Sequence, residues 1–276
     1  MPPTNPLRMR PAALVAFHAL ACARSVTPAP PAPEAAHLMP VTARYRLVEH
    51  RHIEQVHRGQ TIVTDAVTRA RLTVAIDSAS AGFAVDATVD SVAVSGDAGV
   101  PAEAVASAAG ARFRADVARD GAVRAVTGSG DENPLLDQLQ LRMHELLPRM
   151  PAAGATPGAT WTDTTRIDGR TAGIPITIEA RGRRHRVAAW TEYEGRRVLP
   201  LTTETGYTIA GEGQRAGQGI TMVGTGISHL RQLVTHDGVV ALGIRQDTLR
   251  LAIELPGLGV HIPLTQVRTD TLRRVN

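Results

Sequence analysis

The stretch IVTDAVTRARLTVAI, residues 62–76, carries its apolar side chains at every second position: Ile62, Ala66, Ala70, Leu72, Val74 and Ile76 are even, while Asp65, Arg69, Arg71 and Thr73 are odd. Successive side chains of a strand point to opposite faces, so this alternation predicts one long strand with a buried face and a wet face. Residues 77–82, DSASAG, then supply a turn, and Phe83, Val85, Ala87 and Val89 alternate with Asp86, Thr88 and Asp90. That pattern predicts a second strand, antiparallel to the first. Residues 45–56 read as a strand before them, closed by the turn HRGQ, so three consecutive strands form a meander.

Downstream, the alanine-rich residues 101–109 suit a short helix with proline in its first turn and Gly110 as its stop. Strands resume around Phe113–Val117 and Val123–Val126, joined at Asp120-Gly121. The clearest helix follows. Asn133 caps it, Pro134 fits its first position, Leu135, Leu136, Leu139, Met143 and Leu146 recur at spacings of three and four, and Pro148 ends it. Such a stripe needs a surface to cover, and these five residues are the candidate lid over an apolar ligand.

The segment PRMPAAGATPGAT, residues 148–160, divides the chain near its middle. Beyond it, strands are expected at 161–167, 174–181, 186–193, 198–209, 219–224, 228–235, 239–245, 249–255 and 260–267, separated by turns such as YEGR, THDG and LPGLG. The expected fold is therefore mainly β, of the α+β class. Two successive antiparallel meanders, about 41–150 and 151–276, form a curved, half-open, barrel-like sheet with one amphipathic helix packed on it.

The first 40 residues are of a different kind. Arg8 and Arg10 precede a short apolar run from Pro11 to Ala21, ending in Ala19-Leu20-Ala21-Cys22, the pattern of a secretory signal peptide over 1–21. The run is far shorter than the roughly 20 residues a membrane-spanning helix needs. Cys22 is the only cysteine, and an exported thiol without a partner is an anomaly that acylation removes. Ala-Leu-Ala-Cys resembles the bacterial lipobox, although Ala19 stands where leucine is usual. Residues 22–40, including SVTPAPPAPEAA, have the composition of a semi-rigid tether. The expectation is a lipidated Cys22, with palmitate as one of its acyl chains, and the alternatives are simple release by signal peptidase or a buried, inert thiol. Every route but the last places the domain outside the cytoplasm, and the lipid route anchors it in the bacterial cell envelope, facing the periplasm.

Composition narrows the function. Basic residues are all arginine, and the net charge of +4 includes Arg8 and Arg10 of the leader, which is too little for phosphate-backbone recognition, so no nucleic-acid partner is expected. Aromatics amount to 3% of the chain, a poor supply of stacking rings. The densest basic cluster, ARGRRHR at residues 180–186, reads as a solvated connection between strands; its functional alternative is a contact with anionic lipid headgroups or lipopolysaccharide.

Chemistry-bearing constellations are few. EHRHIEQVH places Glu49, His50, His52, Glu54 and His57 close together. On a strand, His50, His52 and Glu54 share a face, and His50 and His52 are the candidate metal ligands, one short of a zinc site; a polar solvent face is the simpler reading. The order of a metalloprotease helix is missing, as is Gly-x-Ser-x-Gly. The glycines of GEGQRAGQG lie between strand-like segments rather than at the start of a helix, so turns and bulges are a better reading of them than a dinucleotide loop. Asp131 and Glu132 suit a helix N-terminus. No catalytic set, metal site or cofactor is expected.

The layout resembles envelope lipoproteins built as half-open β-barrels plugged by helices, the Lol-type carriers and mycobacterial lipid-binding lipoproteins. The chain also resembles a family of uncharacterised bacterial exported β-rich proteins, through Asp120-Gly121-Ala122-Val123 with Gly128, then Leu147-Pro148, then Pro157-Gly158-Ala159-Thr160-Trp161. These residues are structural punctuation, so the resemblance implies a fold more than a function. The resulting expectation is an envelope lipoprotein, not an enzyme, whose β-rich domain binds a lipid or other apolar small molecule in an aliphatic cavity. The alternative is a structural or interaction module with no cavity and an envelope protein as partner.

Overall fold

The computed structural model describes residues 35–57, 59–97, 99–128, 133–215 and 217–275. The expected signal peptide, Cys22, the tether up to residue 34, and Asp131 and Glu132 lie outside the described residues. The end of the expected tether is no tether: Ala36 and Leu38 are buried, Ala36 exchanges 2.9 Å backbone hydrogen bonds with Ala155, and the His37 N–H donates to the His236 carbonyl.

The long alternating stretch is strand β2 (Gln60–Ala79), between β1 (Val41–His57) and β3 (Gly82–Gly96). Its even positions from Ala66 to Ile76 face inward and its odd positions face out, as the alternation requires. Helix α1 (Ala102–Ala108) leads to the hairpin of β4 (Arg112–Ala118) and β5 (Val123–Gly128). Helix α2 (Pro134–Met143) comes next, and then the second meander: β6 (Thr160–Thr171), β7 (Ile174–Val187), the three-residue β8 (Thr191–Tyr193), β9 (Arg196–Arg215), β10 (Gln218–Thr235), β11 (Val240–Leu255) and β12 (Val260–Val275).

All strands form one antiparallel sheet in the order β5-β4-β3-β2-β1-β12-β11-β10-β9-β7-β6, with β8 paired on β9. The first strand therefore lies beside the last, in a ladder from Arg44↔Val275 to Gln55↔Leu264. The two meanders are halves of one curled half-barrel, and β5 and β6 are its free edges.

Helix α2 fills the seam between those edges. Gln140 Nε2 donates to the Val126 carbonyl of β5 (3.3 Å), Asp137 accepts from the Gly173 N–H at the β6–β7 turn (2.9 Å), and the Leu141 side chain lies against Gly169 of β6. A sheet edge is a row of unpaired polar groups, and the contacts of α2 cover part of both edges. The cap is the expected one: Asn133 Oδ1 accepts from the Leu135 and Leu136 N–H groups at 2.9 and 3.3 Å, a contribution of about 1 kcal/mol. Its amide also donates to Ala104 O and Ser107 Oγ of α1, fastening the two helices together. The helix ends at Met143, earlier than expected: from His144 the chain is in hydrogen-bonded turns, with the His144 N–H donating to the Leu141 carbonyl at 3.3 Å and the Glu145 N–H to the Arg142 carbonyl at 2.9 Å.

Several strands are longer than the sequence pattern implies. β7, β10 and β11 each run unbroken through a stretch that reads as a gap, and β12 continues past residue 267 to Val275. Within β10, Gly224 and Gly226 interrupt the apolar pattern without breaking the strand; a Cβ on Gly226 would stand 2.2 Å from the Tyr207 ring, so the glycine makes room for a tyrosine on the neighbouring strand.

Candidate functional site

Inside the half-barrel lie two apolar clusters of different character. The larger fills the space under β1–β4 and the adjacent end of β7, β9 and β10, where Tyr45, Val74, Val85, Val89, Leu199 and Leu201 are all nearly inaccessible. The smaller is built on Ile174, Ile176, Ile209, Met222 and Leu249 at the far end of the second meander. Between them is a belt of charge.

The belt is centred on Arg142 of α2. Its guanidinium pairs with Glu49 of β1, with Glu145 at 3.0 Å and with Asp270 of β12 at 3.1 Å. Arg51 of β1 pairs with Glu49 and donates to Gln138 of α2 at 2.8 Å. Arg245 of β11 closes on Glu145, while Arg268 of β12 lies 3.2 Å from Asp270 and 3.9 Å from Asp247. The Tyr207 hydroxyl donates to Asp247 at 3.0 Å. The strand-borne members of the belt sit at inward positions, and Glu49 and Asp247 are each only 4% exposed. Charges can be held there only because each is paired; an unpaired buried ion costs several kcal/mol.

The electrostatics follow from this crowding. Burial alone would raise the Glu49 carboxyl, but Arg142, Arg51 and Arg268 hold it down at about 2. Glu145 is partly buried, which would raise its carboxyl, but Arg245, Arg142 and Arg268 bring it well below the carboxylate range. Asp270 goes the other way: burial pushes it up, Arg142 and Arg268 offset this only in part, and Glu49 adds repulsion. Burial and the Asp247 charge push the Tyr207 hydroxyl up, so it stays a donor. Burial also pushes His144 down, towards its neutral form.

A second group of charges adjoins the belt at the β6–β7 pair. The basic run at residues 180–186 is not a connection between strands. It is the middle of β7, where a bulge between Ala180 and Arg184 inserts an extra residue against β9, with Gly182 at φ +66°. A bulge re-aims the side chains beyond it, and here the inward set changes from Ala180 to Arg183, His185 and Val187. His185 is buried, stacks on Trp161 with ring centroids 4.9 Å apart, and contacts Thr203 Oγ1 at 3.0 Å and Asp163 at 3.2 Å. Asp163 also meets Arg149 at 3.2 Å and Arg183 at 3.5 Å. Burial would raise its carboxyl, but His185, Arg183 and Arg149 bring it below the ordinary range.

Between the belt, α2 and the smaller apolar cluster is a cavity of about 230 Å³. One wall is Ile176, Ile178, Ile209, Met222, Leu249 and Leu251; the opposite end carries the guanidinium groups of Arg149, Arg183, Arg245 and Arg268. The expectation of a lining of valine, isoleucine, leucine and alanine thus holds for one end only, because six arginines line the rest.

The residues expected as a lid have a different position. Leu135, Leu136, Leu139, Met143 and Leu146 are buried in the larger, packed cluster, whereas the cavity is met by the other face of the helix and its exit, through Gln138, Leu141, Arg142 and Glu145. His50 and His52 point out of the half-barrel. His52 contacts Asp65 at 2.8 Å and Glu54 at 3.2 Å, and the two carboxylates raise its pKa. Among the described residues, no three His, Cys, Asp or Glu side chains are grouped to hold a metal ion, and no helix is long and apolar enough to cross a membrane. The belt residues drew no notice in the sequence reading except Glu49, which entered as a neighbour of the histidines. The available signal was charge at positions whose strand parity points inward.

No protein-family model matches the chain, and no curated protein matches it.

Proposed function

We propose that this chain is an exported binding module of the bacterial cell envelope, anchored through an acylated Cys22 and facing the periplasm, that holds an amphiphilic lipid inside its half-barrel. The observation that carries this reading is the cavity itself: a concave space of about 230 Å³ under α2, with an isoleucine and leucine wall at one end and hydrogen-bonding groups at the other. Binding sites for small molecules are concave and mostly apolar, with a few placed polar groups. Nothing in the chemistry of the belt calls for turnover; its side chains are committed to one another, which suits holding a ligand.

Two measurements test it. Native mass spectrometry of the purified full chain should find a co-purifying lipid, and unlabelled fatty acid should displace a fluorescent fatty acid from it; silence in both assays overturns the reading. For the anchor, processing should be sensitive to globomycin, and palmitate labelling should vanish in Cys22→Ala. A mature chain beginning at Cys22 without lipid overturns that part.

A second reading, an interaction module of the envelope, draws on the outer face of β10, where Val223 and Ile227 are 65% and 59% exposed. Under it, crosslinking from this face captures a protein partner while the lipid assays stay silent.

A further inference from the structure

Arg183 differs from the other arginines of the interior. Arg142, Arg245 and Arg268 are each tied to acidic side chains of the belt. Among the described residues, the only carboxylate within 4 Å of Arg183 is Asp163, at 3.5 Å, and that carboxylate is shared with Arg149 and His185. Its other contact is neutral, a 2.7 Å hydrogen bond to Thr165 Oγ1. The side chain is 16% exposed and stands at the cavity wall. Burial lowers its pKa, Arg149 and Arg245 are near enough to add repulsion, and the charges of Asp163 and Glu145 offset this only in part. A partly buried guanidinium crowded by two others, with only a shared carboxylate in contact, is a seat for an anion.

The position of the seat matters as much as its charge. Beyond the Gly182 bulge, the inward residues of β7 run Ala180, Ile178, Ile176, Ile174, away from the charges and into the apolar wall. Ile178 lies opposite Ile209, and Gly211 beside it lies opposite Ile176, so the wall continues on β9. A molecule with its head on Arg183 would lay its tail along this row. The volume of about 230 Å³ falls short of the roughly 300–1,000 Å³ common for small-molecule pockets, which favours one chain over two or three.

We propose that the ligand of this cavity is a single-chain amphiphile with an oxyanion head, a carboxylate or phosphate, whose head is seated on Arg183 between Arg149 and Arg245 and whose tail follows Ile178 and Ile176. The bulge at Gly182 is then the device that aims the seat inward. The proposal rests on the lipid-binding reading and specifies its ligand class.

The test is a displacement titration of the full chain, using a fluorescent fatty acid as reporter and dodecanoate, dodecyl phosphate and dodecanol as competitors. The two anions should compete about tenfold or more better than dodecanol, as expected for a charge-assisted contact at a partly buried site. In Arg183→Met, which keeps most of the side-chain volume, the anions should weaken to the level of dodecanol while dodecanol itself is unchanged. The wild-type panel needs no variant, so a misfolded variant does not blunt the test. Equal competition by dodecanol and dodecanoate in the wild type overturns the anion seat and leaves lipid binding standing; no competition by any of the three overturns both. An anion preference that survives in folded Arg183→Met overturns the role given to Arg183.

Discussion

The inner faces of β2–β4 and of β7, β11 and β12 are made by the same alternation, yet one is packed apolar residue against apolar residue and the other carries Arg183, Arg245, Asp247, Arg268 and Asp270. The first face fills its space with Val74, Val85, Val89 and Phe113 and with Leu135, Leu136 and Leu139 of α2. The second leaves a cavity. Strand parity decides which side chains point inward in both; it does not decide that they are apolar. Where charge is turned inward, the fold holds it with an opposing charge on another strand or on α2, and this pairing keeps the two halves of the sheet and the helix in one arrangement.

The largest effect that separates the two regions should come from Glu49→Gln. The substitution leaves Arg142 and Arg51 buried without their shared carboxylate, and removing one partner of a buried ion pair costs about 3–5 kcal/mol. Urea unfolding should show that loss in the midpoint; a loss below about 1 kcal/mol would mean that the belt is hydrated and weak. Next in size is a matched pair. Leu72→Ala in the packed half should cost about 3 kcal/mol, since it opens a hole among rigid neighbours. Leu251→Ala, at the wall of the existing cavity, should cost about 1 kcal/mol, and equal losses would erase the contrast between the halves.

Acid should act through the belt. Glu49 is held down at about 2, and Glu145 and Asp163 are also lowered. A carboxylate with a depressed folded pKa contributes stability that is complete above its unfolded value, near 4.5, and is lost as pH falls towards the folded value. Glu49 alone contributes on the order of 3 kcal/mol in this way. Asp270 has the opposite sign: its raised pKa makes its charge a cost at neutral pH, and protonation returns part of that stability. Stability should therefore fall between about pH 4.5 and 2, and the slope should flatten in Glu49→Gln; an unchanged slope would place the titration elsewhere. The smallest effect belongs to the outer face, where His50→Ala and His52→Ala should leave the unfolding midpoint unmoved.

Much of the fold is legible in the sequence, and several of the places where the reading breaks lie at the candidate site. The alternation over 62–76 yields β2 and its inward face, and the Asn133-Pro134 pair yields the start of α2. The strands in the second half are read too short at several points. Four of these lie in or against the belt: the basic run around Arg183, the stretch around Gly226, the stretch around Asp247, and the end of β12 from Arg268. The ends of β6 past residue 167 and of β9 past residue 209 are also missed. Charged or glycine residues at inward positions violate the apolar pattern that marks a strand, so a rule built on hydrophobicity cuts the strand there. Conflict between local pattern and global fold is expected at functional sites. The pairing of β1 with β12 is a different matter, since a contact between residues more than 200 positions apart leaves no local trace.

The most direct test of the proposal that this half-barrel, packed on one side, receives an amphiphile on the other is to locate a tail inside it. Crystals of the full chain grown with 12-bromododecanoate should give an anomalous bromine peak along the wall formed by Ile176, Ile178 and Leu251, with the carboxylate at Arg183. A bromine peak on the outer face, or an unoccupied interior filled by its own side chains, would contradict the account.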